Sequence, residues 1–259
     1  MTRIWNTMED WVDRRRAIQG LSIGFVPTMG ALHRGHASLV ERCRRENEIV
    51  VVSIFVNPSQ FNDPKDLERY PRTLDSDLAL LRSLGADEVI IPSAAEMYPQ
   101  GYGLRVEPDS RSPEIMEGAY RPGFLPGVLT VVLKLLNIVR PDRAYFGEKD
   151  YQQLKAITDM MQEFFLPVEI VPCATVREES GLAESSRNKL LSAPAKEKAA
   201  CLFRALSTAG NASDAQAMLE ANGFTVDYVE EHWGRRFAAA FLDGVRLIDN
   251  VPIAESKRC

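Results

Sequence analysis

Pro27-Thr28-Met29-Gly30-Ala31-Leu32-His33-Arg34-Gly35-His36 is the stretch whose pattern decides the fold. An apolar run, Leu21 to Val26, leads into it, a helix-like run from Ala37 to about Asn47 leaves it, and a second apolar run, Ile49 to Val56, follows at once. Strand, loop, helix and strand in that order make the first unit of a parallel α/β sheet. The chain has three histidines, and two of them stand here, three positions apart across a glycine. A helix starting near Gly35 gathers both imidazoles at its N-terminal end, where open backbone N–H groups and the helix dipole favour an anion. The ligand expected there is a nucleotide phosphate.

Other accounts of the stretch fit less well. Gly30 and Gly35 have the spacing of a Walker A loop, but His36 and Ala37 stand where that loop needs Lys and Ser/Thr. A metal pair needs a third ligand, and no Cys or carboxylate falls at a familiar spacing. Capping or core histidines account for isolated examples, whereas Gly-His-Ala at a strand-to-helix turn sets these two at the mouth of the sheet.

With 45% hydrophobic and 26% charged residues, the chain has the balance of a globular protein, and 259 residues make one large or two modest domains. A net charge of −5 gives no broad attraction to a nucleic acid backbone. Arg14-Arg15-Arg16 and Arg42, Arg44 and Arg45 sit in helix-like segments, as solvated faces do. No signal-peptide region opens the chain, and no apolar run reaches the roughly eighteen residues of a membrane span. The cysteines at 43, 173, 201 and 259 form no Cys-x-x-Cys pair, which suits free thiols in a reducing cytosol.

Asn57-Pro58-Ser59-Gln60 follows the second strand directly, at the sheet edge where ligands bind, so Asn57 and Gln60 are candidates for orienting a small polar substrate; a plain Asn-Pro turn also accounts for Asn57. Thr73 opens a helix to Leu84, Gly85 closes it, and Glu88 to Ile91 is a third strand. Residues 99–126 are irregular, with Val128 to Val139 a buried helix or one face of a subunit contact. Arg143 to Phe146 is a short strand that delivers Gly147-Glu148-Lys149-Asp150 to the same edge, with Lys149 bringing charge to phosphates and Asp150 capping the next helix. Val168 to Val171 is another strand, and the hydroxyls and arginine of the 176–188 stretch suit a second phosphate clamp, with an exposed linker as the other reading. Past Asn188 come two helical patterns, to Ala209 and to Asn222, then strands at Phe224 to Val229 and Arg246 to Asp249. The expected fold is α/β: a parallel sheet over 1–188 and a smaller α+β domain over 189–259, which the resemblance given next makes a Rossmann-like domain and its lid.

Five blocks in order make the chain similar to a known family. They are Pro27 to His36, Phe55-Val56-Asn57-Pro58-x-Gln60-Phe61, Phe146 to Leu154, Gly181-Leu182-Ala183-x-Ser185-Ser186-Arg187-Asn188, and Arg246-Leu247-Ile248-Asp249-Asn250. Over nearly its whole length the chain resembles the AMP-forming pantoate–β-alanine ligases, among the His-x-Gly-His nucleotidylyl transferases with a Rossmann-like fold. The resemblance implies ATP along Met29, Gly30, Ala31, Leu32, His33, Arg34, Gly35 and His36, closed in by Gly147, Glu148, Lys149, Asp150, Val176, Glu184, Ser185, Ser186 and Arg187. It implies pantoate at Gln60 and Gln153 near Arg121, β-alanine later sharing Gln60, His36 as proton donor, and a cytoplasmic homodimer. The chemistry agrees: a carboxylate attacking the α-phosphorus of ATP needs donors and cations around phosphate, which His33, His36 and Lys149 supply. Mg²⁺ bridging phosphate oxygens is expected, with no protein ligand named by the sequence. A different nucleotidylyl transferase, or a nucleotide-binding protein without turnover, remains open.

The chain departs from the family pattern twice. A histidine commonly found after Arg-Pro-Gly is replaced by Phe124, and the interval between Tyr228 and Arg246 looks shorter than the family's second domain.

Overall fold

The computed structural model describes residues 1–109 and 114–253. Six strands, β1 (Arg3–Trp5), β2 (Ile23–Thr28), β3 (Ile49–Ile54), β4 (Glu88–Ile90), β5 (Arg143–Gly147) and β6 (Glu169–Cys173), form one sheet in the order β1-β4-β3-β2-β5-β6. All neighbouring pairs are parallel. Val50, Val51 and Val52 on β3 are fully buried in succession, the pattern of a strand covered on both faces. The helices of this part of the chain are α1 (Met8–Ala17), α2 (Arg34–Glu46), α3 (Pro64–Arg69), α4 (Leu74–Ser83), α5 (Ala94–Met97), α6 (Met116–Tyr120), α7 (Phe124–Val139) and α8 (Tyr151–Glu163). From β2 the chain steps outward through β3 to β4, then returns to the other side of β2 as β5. Strand order therefore reverses between β2 and β5, and open α/β sheets bind ligands beyond the carboxyl ends of the strands at such a reversal. The loops after Thr28 and Gly147 start there.

A second compact unit comprises Lys149–Tyr151 and the chain from Ala174. Helices α9 (Ala193–Thr208) and α10 (Ala212–Ala221) pack on an antiparallel sheet of β7 (Thr225–His232), β8 (Arg235–Leu242) and β9 (Val245–Pro252). Leu202, Leu206 and Leu219 meet Ala238, Ala240 and Leu247 in its core. The small side chains of the central strand let the helices close on the sheet.

Several boundaries differ from the sequence pattern. Strand β1 is a three-residue edge, too short to show a period. Helix α7 starts at Phe124, not Val128, because Pro126 falls in its first turn, where a missing N–H costs nothing. That helix is buried along its length within the first unit, which by itself accounts for its apolar sequence. Helix α6 breaks the interval expected to be irregular, part of which, 110–113, lies outside the described residues. Strand β8 fills the interval taken as shortened; its alanine run has poor strand propensity and hid it. The division between units falls at Cys173 and Ala174, ahead of the expected 188/189 boundary. Arg177 explains why: its guanidinium pairs with the buried Asp249 of β9 at 2.6 and 3.0 Å, tying the 174–188 stretch to the second sheet.

The arginine runs are less solvated than expected. Arg14 pairs with the nearly fully buried Glu88 at 2.7 Å, and Arg15 donates to the carbonyls of Val139 and Arg140 at the end of α7. Arg16, paired with Asp13, is the exposed one of the three. Cys43, Cys173 and Cys201 are free thiols, and Cys259 lies outside the described residues.

Candidate active site

The loop after β2 is held from beneath by a buried carboxylate. Gly30 and Ala31 take φ of +77° and +50°. Gly30 N–H donates to Thr28 Oγ1, while Ala31 N–H and Leu32 N–H donate to Asp77 Oδ2 and Oδ1 at 2.9 and 2.8 Å. Asp77, on α4, is 3% exposed and also accepts from Thr73 Oγ1 at 3.2 Å. These N–H groups, which precede the helix N-terminus where the sequence places the anion, therefore close on the protein's own carboxylate. Thr73 correspondingly bonds Asp77 and makes no side-chain cap on α4.

Side chains follow at the start of α2. His33 is the N-cap of α2, its Nδ1 accepting from Gly35 N–H at 3.1 Å. An Nδ1 that accepts puts the proton of the neutral ring on Nε2, so His33 carries a donor suited to a phosphate oxygen. The His36 ring stands with its centroid 4.1 Å from that of His33 at 46°. Both histidines are half-buried and Arg34 is exposed.

Met29 leads to the second group of candidates. Gln60 Nε2 lies 3.0 Å from Met29 Sδ, and Gln60 Oε1 accepts from Asn57 Nδ2 at 2.9 Å. Asn57 is 1% exposed, and its amide is engaged with Gln60, Ser59, Tyr98 and the Gly127 carbonyl, so it shapes the turn that carries Gln60. Arg121 donates to the Gln60 carbonyl at 3.0 Å and to Glu117 at 3.2 Å, with its guanidinium 3.8 Å over the Phe124 ring. Gln153 is half-buried on α8, about 100° around the helix from Gln152, which is buried and donates to Ile115 O at 3.0 Å.

Gly127 lets α7 approach this turn. A Cβ there would stand 2.7 Å from the Ser59 carbonyl carbon and 3.0 Å from Gln60 Cα. Gly127→Ala is expected to push the Gln60 turn off the helix at about 1–3 kcal/mol of stability, with a several-fold rise in the KM for pantoate; calorimetry and steady-state kinetics read both.

In the second unit the same care is spent on backbone. Asn250 Nδ2 donates to Lys149 O at 2.9 Å, and Asn250 Oδ1 accepts from Arg235 Nε at 2.6 Å. Tyr151 packs its ring 6.2 Å from Trp233 and 6.0 Å from Phe237, fixing the segment that carries Lys149 and Asp150, whose charged groups are 3.8 Å apart. Glu184 N–H donates to Val176 O at 2.9 Å. Ser185 Oγ accepts from Arg187 N–H at 3.3 Å, capping a short helical turn over Ser186–Leu190. Asp249 and Asn250 thus hold the loops bearing Lys149 and Val176. Their positioning role was missed, although two strand-averse residues side by side in a strand were a signal for it.

Comparison with known proteins decides the family. The family model described as Pantoate-beta-alanine ligase matches residues 1–252. The chain is 51% identical over 253 residues to the pantothenate synthetase of Bdellovibrio bacteriovorus, covering 98% of this chain and 100% of that one. It is 44% identical to the pantothenate synthetase of Coxiella burnetii, with both chains covered completely over 259 residues. Among solved structures, the pantoate-beta-alanine ligase of Francisella tularensis, complexed with beta-gamma ATP and beta-alanine, superposes with a TM-score of 0.93 at 42% identity, covering 97% of this chain and 98% of that one. The chain belongs to the pantoate–β-alanine ligase family. Its activity is accordingly the ATP-dependent ligation of pantoate to β-alanine.

Among the pantoate–β-alanine ligases, relatives such as that of Coxiella burnetii match this chain from end to end, so the second unit is not short beside them. The other departure, Phe124, is a packed feature: the ring is 7% exposed and stacks on Arg121. Arg121 is thereby held by an aromatic face and two hydrogen-bond acceptors, without an imidazole.

Proposed function

We propose that the ligation runs through a pantoyl adenylate. The pantoate carboxylate attacks the α-phosphorus of ATP and pyrophosphate leaves; the amine of β-alanine then attacks the acyl carbon, forms the amide, and AMP leaves with the C–O bond electrons. The observation that carries this is the contact of Gln60 Nε2 with Met29 Sδ at 3.0 Å, which puts the candidate pantoate residue beside the candidate nucleotide loop within one unit. Attack on phosphorus needs the acid and the nucleotide side by side.

In this proposal ATP is bound by Met29 to His36, Gly147, Glu148, Lys149, Asp150, Val176, Glu184, Ser185, Ser186 and Arg187. Pantoate is held by Gln60 and Gln153, with Asn57 and Arg121 shaping the pocket, and β-alanine follows at Gln60. His33, His36 and Lys149 stabilise the charge that builds on the phosphate oxygens. Among the described residues no group of three His, Cys, Asp or Glu side chains is placed to hold a metal ion. Mg²⁺ is proposed to enter on the phosphates of the nucleotide. We further assign a homodimer and a cytoplasmic location; no helix among the described residues is long and apolar enough to cross a membrane.

The test is a product assay with variants. Purified protein with ATP, Mg²⁺, pantoate and β-alanine is expected to yield AMP, pyrophosphate and pantothenate in equal amounts; pantoate-dependent ADP and phosphate would sink the proposal. Gln60→Ala and Gln153→Ala are expected to raise the KM for pantoate about tenfold while ATP binding by calorimetry stays within about twofold, as loss of direct hydrogen bonds predicts. Loss of ATP binding in either would place that glutamine in the nucleotide site instead.

A further inference from the structure

The Gln60 amide can be offered to a ligand in either of two senses, NH₂ outward or oxygen outward, and the surrounding hydrogen bonds choose between them. Asn57 Oδ1 accepts from Ser59 N–H at 3.3 Å, Ser59 Oγ at 2.9 Å and Tyr98 O–H at 2.6 Å. Asn57 Nδ2 donates to Gly127 O at 3.2 Å and to Gln60 Oε1 at 2.9 Å. A backbone N–H only donates and a backbone carbonyl only accepts, so Ser59 N–H and Gly127 O fix the Asn57 amide the same way round that the Tyr98 hydroxyl does. With Oε1 turned to Asn57, Gln60 keeps Nε2 for the side facing Met29, where it meets a thioether sulfur, a weak acceptor.

We infer that the Asn57 amide, fixed one way round by Ser59 N–H and Gly127 O, sets the polarity of the Gln60 amide, and that Tyr98, bonded to Asn57 Oδ1 and 2.9 Å from Ser59 Oγ, is the positioning residue that braces it, so that Gln60 offers NH₂ and takes an acceptor oxygen, of a carboxylate or hydroxyl, in place of the Met29 sulfur. This rests on the proposal above that Gln60 lies at the pantoate site. It adds the sense of the contact: the ammonium form of an amine has no acceptor to give, so Gln60 holds the oxygen end of each acid substrate and leaves the amine of β-alanine to other contacts. Tyr98 is itself clamped. Lys134 Nζ lies 4.7 Å from the Tyr98 ring centroid and 3.9 Å from that of Tyr102, the two rings meet edge-on at 5.2 Å, and Lys134 donates to Met97 O. Burial raises the pKa of the Tyr98 phenol, keeping it the protonated donor that the relay needs.

Tyr98→Phe keeps the ring over Lys134 and removes only the O–H. Steady-state kinetics on the full chain are expected to show the KM for pantoate about fivefold higher, the loss of one hydrogen bond in the relay, with the KM for ATP unchanged. KM does not depend on how much of a preparation is folded. Asn57→Asp goes further, because a carboxylate only accepts: Gln60 must turn its NH₂ inward and present Oε1 to the substrate, and the pantoate KM is expected to rise more than tenfold. Gln60→Ala is measured beside them. If Gln60→Ala raises the pantoate KM while Tyr98→Phe and Asn57→Asp do not, the relay is overturned and the pantoate assignment stands. A Gln60→Ala variant with unchanged pantoate KM overturns both. Equal rises in the ATP and pantoate KM of Tyr98→Phe would mean general loosening, and the relay would again be rejected.

Discussion

His36→Ala is expected to slow pantoyl adenylate formation by ~10²–10³ while leaving the Kd for ATP within a few-fold, because a donor aimed at charge that develops in the transition state contributes little to ground-state binding. The structure sharpens this. Ala31 and Leu32 N–H close on Asp77, and Gly35 N–H closes on His33 Nδ1, so in the proposed reading these three main-chain donors are spent within the protein and the imidazoles take a larger share of the phosphate charge. His36, on the first turn of α2 with its ring 4.1 Å from His33, also has the helix N-terminus behind it. The measurement is a single-turnover burst of pyrophosphate from ATP and pantoate without β-alanine, with ATP affinity determined separately. A mutant burst near the wild-type rate would remove His36 from the chemistry. Weak ATP binding with a normal burst at saturation would make it a nucleotide anchor only.

How far the sequence foretold this site depends on the distance over which each bond acts. The strand, loop and helix from Ile23 to Glu46 were legible because an apolar run, two glycines and a helical period succeed one another without a gap. The turn at Gln60 and the strand before Gly147 were legible for the same local reason. Local pattern could not supply Asp77, which reaches Ala31 across 46 residues, or Asp249, which reaches Arg177 across 72. A lone Asp in an amphipathic helix looks like any solvated carboxylate until the fold buries it. The first turn of α7 was hidden by Pro126 and Gly127, whose usual meaning is a loop, although the glycine is there to admit the Ser59 carbonyl. Gln153, Val176 and Glu184 have no periodic or compositional mark at all; family resemblance alone singled them out.

Asp77 supplies the other large effect. In Asp77→Asn the size of the side chain is kept, but one oxygen becomes an NH₂ that must face a donor, since both carboxylate oxygens accept main-chain N–H groups of Ala31 and Leu32. A buried N–H left facing a donor costs about 1–3 kcal/mol, and the surviving bond loses its charge assistance. The loop has strain to release: Ala31 sits at φ +50°, a left-handed conformation that costs a residue with a Cβ roughly 1–2 kcal/mol. Freed of Asp77, Ala31 is expected to relax towards negative φ, carrying Met29 on one side and His33 on the other away from their present positions. The expected result is a fall in Tm of several degrees, as about 2 kcal/mol predicts for a domain of this size, together with a loss in adenylation rate of more than tenfold. A companion substitution separates the two effects. Ala31→Gly in the Asp77→Asn background removes the left-handed penalty and is expected to recover part of the rate without restoring the lost hydrogen bonds. Full rate in Asp77→Asn, whatever its Tm, would show that the nucleotide loop keeps its shape without this carboxylate, and the positioning role assigned to Asp77 would have to be withdrawn.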